Sequence, residues 1–281
     1  MRCGPRSLSC GLAAAASLAA GASLGAEEVL KPGEETVTVM LGAFLPAFRS
    51  KVEVDDPSGS GDRVDLGRDL GVDQNTSGGW LGAEWRFAPR HRLGFTYSRF
   101  TLTGQRAIER ELHIGDEVYP LGATLESRLR LELIPITYSY SLLKRDNDEL
   151  ALTAGLHWSR ASFRVDGSLS LGARDLSNEA SASANVPLPL FGLRYDHHFS
   201  ERWSAGASAA AFALQFAGNA TDFKGSLISA RVHSEYRFAR HFAVGGALDA
   251  FRVNVNLSKS DWKGGFDYGY WGPQVYLMAR Y

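Results

Sequence analysis

From Thr36 onward, apolar side chains recur at every second position. The stretch "TVTVMLGAF" sets Val37, Val39, Leu41 and Ala43 on one face, and "WLGAEWRF" sets Leu81, Ala83, Trp85 and Phe87 against Gly82, Glu84 and Arg86. The pattern returns with Leu93, Phe95 and Tyr97, with Ile134 to Leu142, with Leu150 to Trp158, and with Phe191, Leu193, Tyr195 and Phe199. "WSAGASAAAFALQF" is blurred by small residues, but Ile228 to Phe238 and Phe242 to Ala250 are clear. The run "WGPQVYLMARY" closes the series, with Trp271, Pro273, Val275, Leu277, Ala279 and Tyr281 on one face. A strand sends successive side chains to opposite faces, so a period of two predicts strands throughout and an all-β chain.

The links between these segments alternate in length. "APRH", "KRDND", "SER" and "ARH" are short, whereas "RSKVEVDDPSGSGDRVDLGRDLGVDQNTSGG" and its counterparts are long and polar. A soluble β-sandwich has no reason for that alternation, but a transmembrane barrel has short turns at one end and long loops at the other. The apolar runs have the roughly 9–11 residues that a tilted membrane strand needs. Trp85, Phe87, Tyr138, Tyr140, Tyr195, Phe199, Trp203, Tyr236, Phe238, Phe242 and Tyr281 cluster beside the short turns, where amphipathic rings favour a bilayer interface. The expected fold is a transmembrane antiparallel up-and-down β-barrel of ten strands, eight being the alternative. Its last strand closes on its first, because an open edge in lipid leaves backbone groups unsatisfied. Beyond the apolar runs the alternation changes phase, at Phe163 and Val165 and again at Phe251, Val253 and Val255. That change predicts either a bulge or departure from the bilayer, at the extracellular rim.

Composition sets the compartment. Arg2 and Arg6 precede an uncharged, Ala- and Gly-rich stretch that lasts to Glu27, which describes a secretory signal peptide over 1–26 with cleavage between 22 and 26. One barrel domain, 27–281, follows. Cys3 and Cys10 both lie in the signal segment, so the exported chain has no thiol for a disulfide, a zinc ligand or a nucleophile. With 30 Lys and Arg against 31 Asp and Glu there is no basic footprint for nucleic acid. The expected location is the bacterial outer membrane after export through the periplasm. The expected partners are outer-membrane lipids, lipopolysaccharide and the barrel-assembly machinery, with no cofactor and no metal.

The closing run, an aromatic terminal residue preceded by apolar residues at alternate positions, resembles the assembly signal of bacterial outer-membrane barrels; Val275, Leu277, Ala279 and Tyr281 carry it. The segments "WRFAPRHRLGF" and "EYRFARHFAVGG" are similar to hairpins of small OmpA- and OmpW-like barrels, and "DLGRDLGVD" is similar to a stretch of uncharacterised proteobacterial outer-membrane proteins. The resemblance covers nearly the whole exported chain and implies fold and location.

The inward faces carry Glu84, Arg86, His157, Arg194, Asp196, His198, Arg231, His233, Glu235, Arg237 and Arg280. Both signs are present, so a lumen filled by ion pairs is expected. The expected role is structural or surface-interacting and not enzymatic. A passive small-solute channel is the alternative, followed by a surface hydrolase or protease. His198 and Ser200 of "HHFS" match the His-x-Ser pair of lipid A deacylases, but the position twelve beyond Ser200 is Phe212, and no acid occurs between Glu201 and Asp222. His113, Asp116 and Glu117 of "ELHIGDE" are the candidates for an omptin-like protease. Asp55, Asp56, Asp62, Asp65, Asp69 and Asp73 lack the spacing of a calcium loop and are expected to be solvated surface, with loose divalent-cation binding as the alternative.

Overall fold

A computed structural model describes residues 35–54, 63–114, 117–171, 174–217, 221–259 and 262–281. The signal segment lies outside the described residues, as do Asp55, Asp56, Asp62 and Asp116. In chain order the strands are β1 (Val37–Phe44), β2 (Ala47–Val54), β3 (Arg63–Asp65), β4 (Gly78–Ala88), β5 (His91–Ala107), β6 (Leu112–Ile114) and β7 (Glu117–Tyr119). They continue with β8 (Thr124–Lys144), β9 (Asp148–Leu171), β10 (Arg174–His198), β11 (Trp203–Ala217), β12 (Thr221–Arg237), β13 (Phe242–Lys259) and β14 (Trp262–Arg280).

Ten of them form an antiparallel ring in the order β1, β4, β5, β8, β9, β10, β11, β12, β13, β14, and β14 pairs back onto β1. The count is therefore ten and not eight. The closing seam sets Leu41 opposite Leu277, and the Tyr281 N–H donates to the Val37 carbonyl at 2.8 Å. β2 prolongs β1 along β14 in the same register, with Phe44 opposite Gln274 and Ala47 opposite Trp271. Above the end of β4 the wall is completed by chain rather than strand. Phe48 N–H donates to the Gln74 carbonyl, Asp73 N–H to Thr103, and Leu66 N–H to Ser50. These bonds satisfy backbone groups that a gap in the ring would leave bare.

The outward side chains of the turn-end half form an apolar belt. Leu41, Leu81, Trp85, Leu152, Phe191, Ile228, Leu248, Val275 and Leu277 all face out and are exposed. Most of the expected aromatic girdle is there, from Trp85 and Phe87 to Phe242 and Tyr281. An exposed apolar surface this continuous, around a closed ring, is what a bilayer accommodates and water does not.

Beyond the belt the polarity inverts. On β8, Leu125, Leu129, Leu131 and Leu133 are buried inside while Glu126, Arg128 and Arg130 face out into solvent. Of the two readings of the phase change, no bulge occurs at those residues, and departure from the bilayer fits the register. β9 pairs with β8 and β10 without interruption through Phe163 and Val165, and β13 does so through Phe251, Val253 and Val255. These residues face the lumen in phase with Ala151 and Ala247 below them. Among the described residues the register shifts lie near the turn end, between Trp85 and Ala88 and between Ser141 and Leu143. What changes along a strand is the medium outside it. Lipid demands an apolar exterior; above the lipid, water rewards a polar exterior and an apolar filling. The same fact corrects the reading of the links as long loops. β9 and β10 run for 24 and 25 residues, so much of the polar sequence between the apolar runs is strand standing clear of the membrane.

The outer half of the bore is thus a packed apolar core. Phe44 and Phe48 meet the edges of Phe100 at 5.6 and 5.3 Å and of Tyr270 at 5.3 and 5.5 Å. Val64, Leu66, Leu70 and Val72, from the chain that completes the wall, join the same cluster.

Candidate functional site

The turn-end half of the bore is filled by charge. β4 supplies Glu84 and Arg86, β5 Arg92, β9 Glu149, β10 Arg194 and Asp196, and β12 Arg231, His233, Glu235 and Arg237. All are inward because each sits one residue away from an outward apolar side chain.

Three linked groups result. In the largest, Arg86 grips Glu149 with both terminal nitrogens, at 2.8 and 3.1 Å. Arg92 reaches three carboxylates at once: Glu84 at 3.2 Å, Glu149 at 3.0 Å and Asp196 at 3.6 Å. Arg194 joins Glu84 to Asp196, at 2.8 Å to the latter, and His233 Nε2 lies 3.3 Å from the other oxygen of Asp196. Asp196 and His233 sit on either side of Gly206, where a Cβ would come within 2.6 Å of both, so only glycine leaves room for their contact. The second group lies at the turn end, where Glu35 receives Arg237 and Arg280, and Arg280 also pairs with Glu235, which accepts from the Tyr276 hydroxyl at 3.1 Å. The third lies deepest. Arg231 donates to Asp249 at 3.2 Å and Gln274 at 2.9 Å, with its guanidinium 5.4 Å from the Trp80 ring and 5.5 Å from the Tyr276 ring.

Arg231 and Glu235 are therefore not partners; each belongs to a different group. His198 faces the same chamber, but its side chain forms no ion pair among the described residues. His157 is buried and stacks on Phe251 at 4.3 Å, where the charged floor meets the apolar ceiling. A cavity of about 330 Å³ lies among these charges, lined from Glu35 and His198 at the turn end up to Phe44, Phe251 and Tyr270 under the apolar tier.

Arg92, Glu149 and Asp249 were absent from the sequence-derived set, although alternation from Leu93, Leu150 and Leu248 places each of them inside. Glu35 precedes β1, where no alternation exists to place it.

Ser200 accepts the N–H groups of Arg202 and Trp203 at 3.3 and 3.1 Å, which is a turn-holding role, while His198 points away into the bore. His113, in the β6–β7 hairpin, lies 3.6 Å from Glu111. In the first loop the Asp69 carboxylate takes the N–H of Asp65 and the side chain of Arg68, and Arg110 lies 3.9 Å away. Cations of the protein itself already occupy that carboxylate.

No family model matches the chain, and no curated protein sequence matches it. Solved structures do. The outer membrane protease OmpT of Escherichia coli aligns with a TM-score of 0.57 at 13% identity, over 91% of this chain and 99% of that one. The chain has the fold of a bacterial outer-membrane barrel. The toluene transporter TodX of P. putida aligns at 11% identity over 90% and 93%, and the translocator domain of NalP from Neisseria meningitidis at 11% over 88% and 88%, both with TM-scores of 0.36. The resemblance is shown for outer-membrane barrels in general and not for OmpA- or OmpW-like proteins in particular.

The expectation that the chain is not an enzyme does not stand. A protease shares this fold along almost the whole of both chains. At 13% identity that neighbour carries the fold and not its activity. Being a small barrel therefore does not exclude an enzymatic activity.

Proposed function

We propose that the protein is an outer-membrane scaffold with a closed bore, whose interactions are made by its outer wall and loops. The observation that carries this reading is the two-tier filling. Paired charges occupy the turn-end half and a packed apolar cluster the loop-end half. An ion would have to break hydrogen-bonded pairs in the first tier and then cross a mainly apolar layer whose polar groups are a few hydroxyls, such as the Ser159–Tyr268 pair at 2.8 Å. An unpaired charge in either place is costly. In this reading the short turns face the periplasm and the loops face outward, after export with a signal peptide over 1–26.

The refolded protein in planar bilayers is expected to show no steady conductance. Neutralising the floor alone, with Arg231→Ala and Glu235→Ala together, is expected to leave it closed, because the apolar tier is untouched. Large, stable channels in the wild type would favour solute transport and defeat the closed bore.

The same reading takes Val275, Leu277, Ala279 and Tyr281 as the strand face that the assembly machinery recognises and closes on β1. Tyr281 stacks on His241 at 5.1 Å, and its carbonyl accepts the N–H groups of Thr36 and Val37 at 2.5 and 2.8 Å. Deleting Tyr281 removes the stack and these bonds. The folded, heat-modifiable band in cold gels from cell membranes is expected to fall several-fold. An unchanged band would count against the assembly role.

A further inference from the structure

The wall parts along one seam. β10 and β11 pair from His198 opposite Ser204 up to Phe191 opposite Ala211, and there the ladder stops. Neither strand stops with it. Among the described residues, β10 continues up to Arg174 paired with β9 alone, and β11 continues to Ala217 paired with β12 alone. The parting begins at the upper rim of the apolar belt. Ala211 stands opposite the exposed Ile228, whereas Ala213 and Gln215 stand opposite Ser226 and Lys224. Below it the seam beside the charged floor is intact.

The sequence accounts for the parting. A strand turns its backbone groups alternately to its two neighbours. The His198 N–H reaches Asn147 on the β9 side and the Phe199 N–H reaches Trp203 of β11, so odd-numbered positions of β10 face β11. The next two beyond Phe191 are Pro189 and Pro187, which have no N–H to give. Likewise the Trp203 carbonyl faces β10 and the Arg202 carbonyl faces β12, so odd-numbered positions of β11 point into the parting. There Ala213, Gln215 and Ala217 hold out backbone groups that no strand takes up among the described residues.

The two lips are unlike. On β10, Val186, Leu188 and Leu190 pack into the apolar cluster, and the two prolines blunt the edge. On β11, Leu214 and Phe216 share the bore face with Phe212 yet stay 49% and 59% exposed. From Trp203 to Ala217 the strand carries no charge and no proline, so nothing guards its edge. A hydrocarbon could cover Leu214 and Phe216 but would leave the amides bare at the rim of the lipid, where an unpaired group is costly. A second copy fits no better. Copies inserted the same way round in one membrane bring two β11 edges together in parallel, and antiparallel pairing would need one of them upside down. The geometry points to a strand-addition site on the β11 edge for an extended peptide of about five residues, antiparallel to β11, with apolar side chains at alternate positions beside Leu214 and Phe216. This names a kind of partner for the scaffold and rests on that reading; conductance tests the closed bore, and peptide binding tests the edge.

The test uses the refolded full chain in neutral detergent and two fluorescein-labelled peptides, with binding read by fluorescence anisotropy. One peptide is about six residues of alternating valine and threonine, which favour an extended strand. The other is the same peptide methylated at every backbone nitrogen. The methylated form is expected to bind at least about tenfold more weakly, because it cannot donate to the edge. Gln215→Pro removes the central donor of the free edge and no donor of the β11–β12 ladder. It is expected to weaken binding of the unmethylated peptide about tenfold while the heat-modifiable band persists. Gln215→Ala keeps that donor and is expected to bind as the wild type does. Failure of the wild type to bind either peptide overturns the site, and so does equal binding of the two. Undiminished binding by a folded Gln215→Pro variant, or an equal loss in Gln215→Ala, also overturns it. If the proline variant does not fold, the two peptides on the wild type still decide. A wild-type dimer that Gln215→Pro dissociates would make the occupant a second copy and overturns the peptide assignment.

Discussion

Replacing Arg92 with alanine will destabilise the barrel by about 3–5 kcal/mol, the cost of removing one partner from a buried ionic network. Arg92 is only 5% exposed and holds Glu84, Glu149 and Asp196 together. Without it, three carboxylates on three different strands share Arg86, Arg194 and His233, and their mutual repulsion acts in a poorly solvated bore. Unfolding in guanidinium, followed by loss of the heat-modifiable form, measures the effect as a lowered midpoint with little change in slope. Arg92→Lys separates charge from geometry. An ammonium is a single point and cannot reach three carboxylates as a fork does, so an intermediate loss is expected. A shift of the alanine variant within about 0.5 kcal/mol, typical of a surface site, would show that solvent and not Arg92 neutralises those acids.

Phe100→Ala is expected to have a comparable effect by a different route. Its ring sits in edge contact with Phe44 and Phe48, in the same cluster as Leu66, Leu70 and Val72. Truncating a buried phenylalanine costs about 3–5 kcal/mol, part transfer and part cavity. Here the loss falls on the chain between β3 and β4, which holds its place through this cluster and a few backbone bonds. Limited proteolysis of the folded variant should therefore cut within residues 66–77 far faster than in the wild type, while the ten-stranded ring keeps its gel mobility. Resistance equal to the wild type would mean that the backbone bonds alone hold this segment.

The charged floor was partly visible in the chain. Glu84, Arg86, Arg194, Asp196 and the β12 residues follow from alternation against outward neighbours, and the same rule applied to Leu93, Leu150 and Leu248 reaches Arg92, Glu149 and Asp249. Their pairing was not visible. Glu84 and Arg194 are 110 residues apart and on strands that are not neighbours in the ring, so only the closure of the sheet brings them together.

Alternation by itself determined that this chain is all β, that it forms membrane strands with short turns at one end, and which side chains share a face; that the strands number ten and not eight came from the closed ring. It could not determine which face is inside. A period of two has two faces and no sign; the sign comes from the medium beyond the wall. Phe163, Val165, Phe251 and Val253 look like a slipped register in the sequence because they are apolar on the face that is polar lower down. The structure shows an unbroken register passing from lipid into water. Above the belt, burying those rings inside removes apolar surface from water, and turning Arg128, Arg130 and Arg164 outward keeps their charges solvated; within the belt the same two demands are met by the opposite faces.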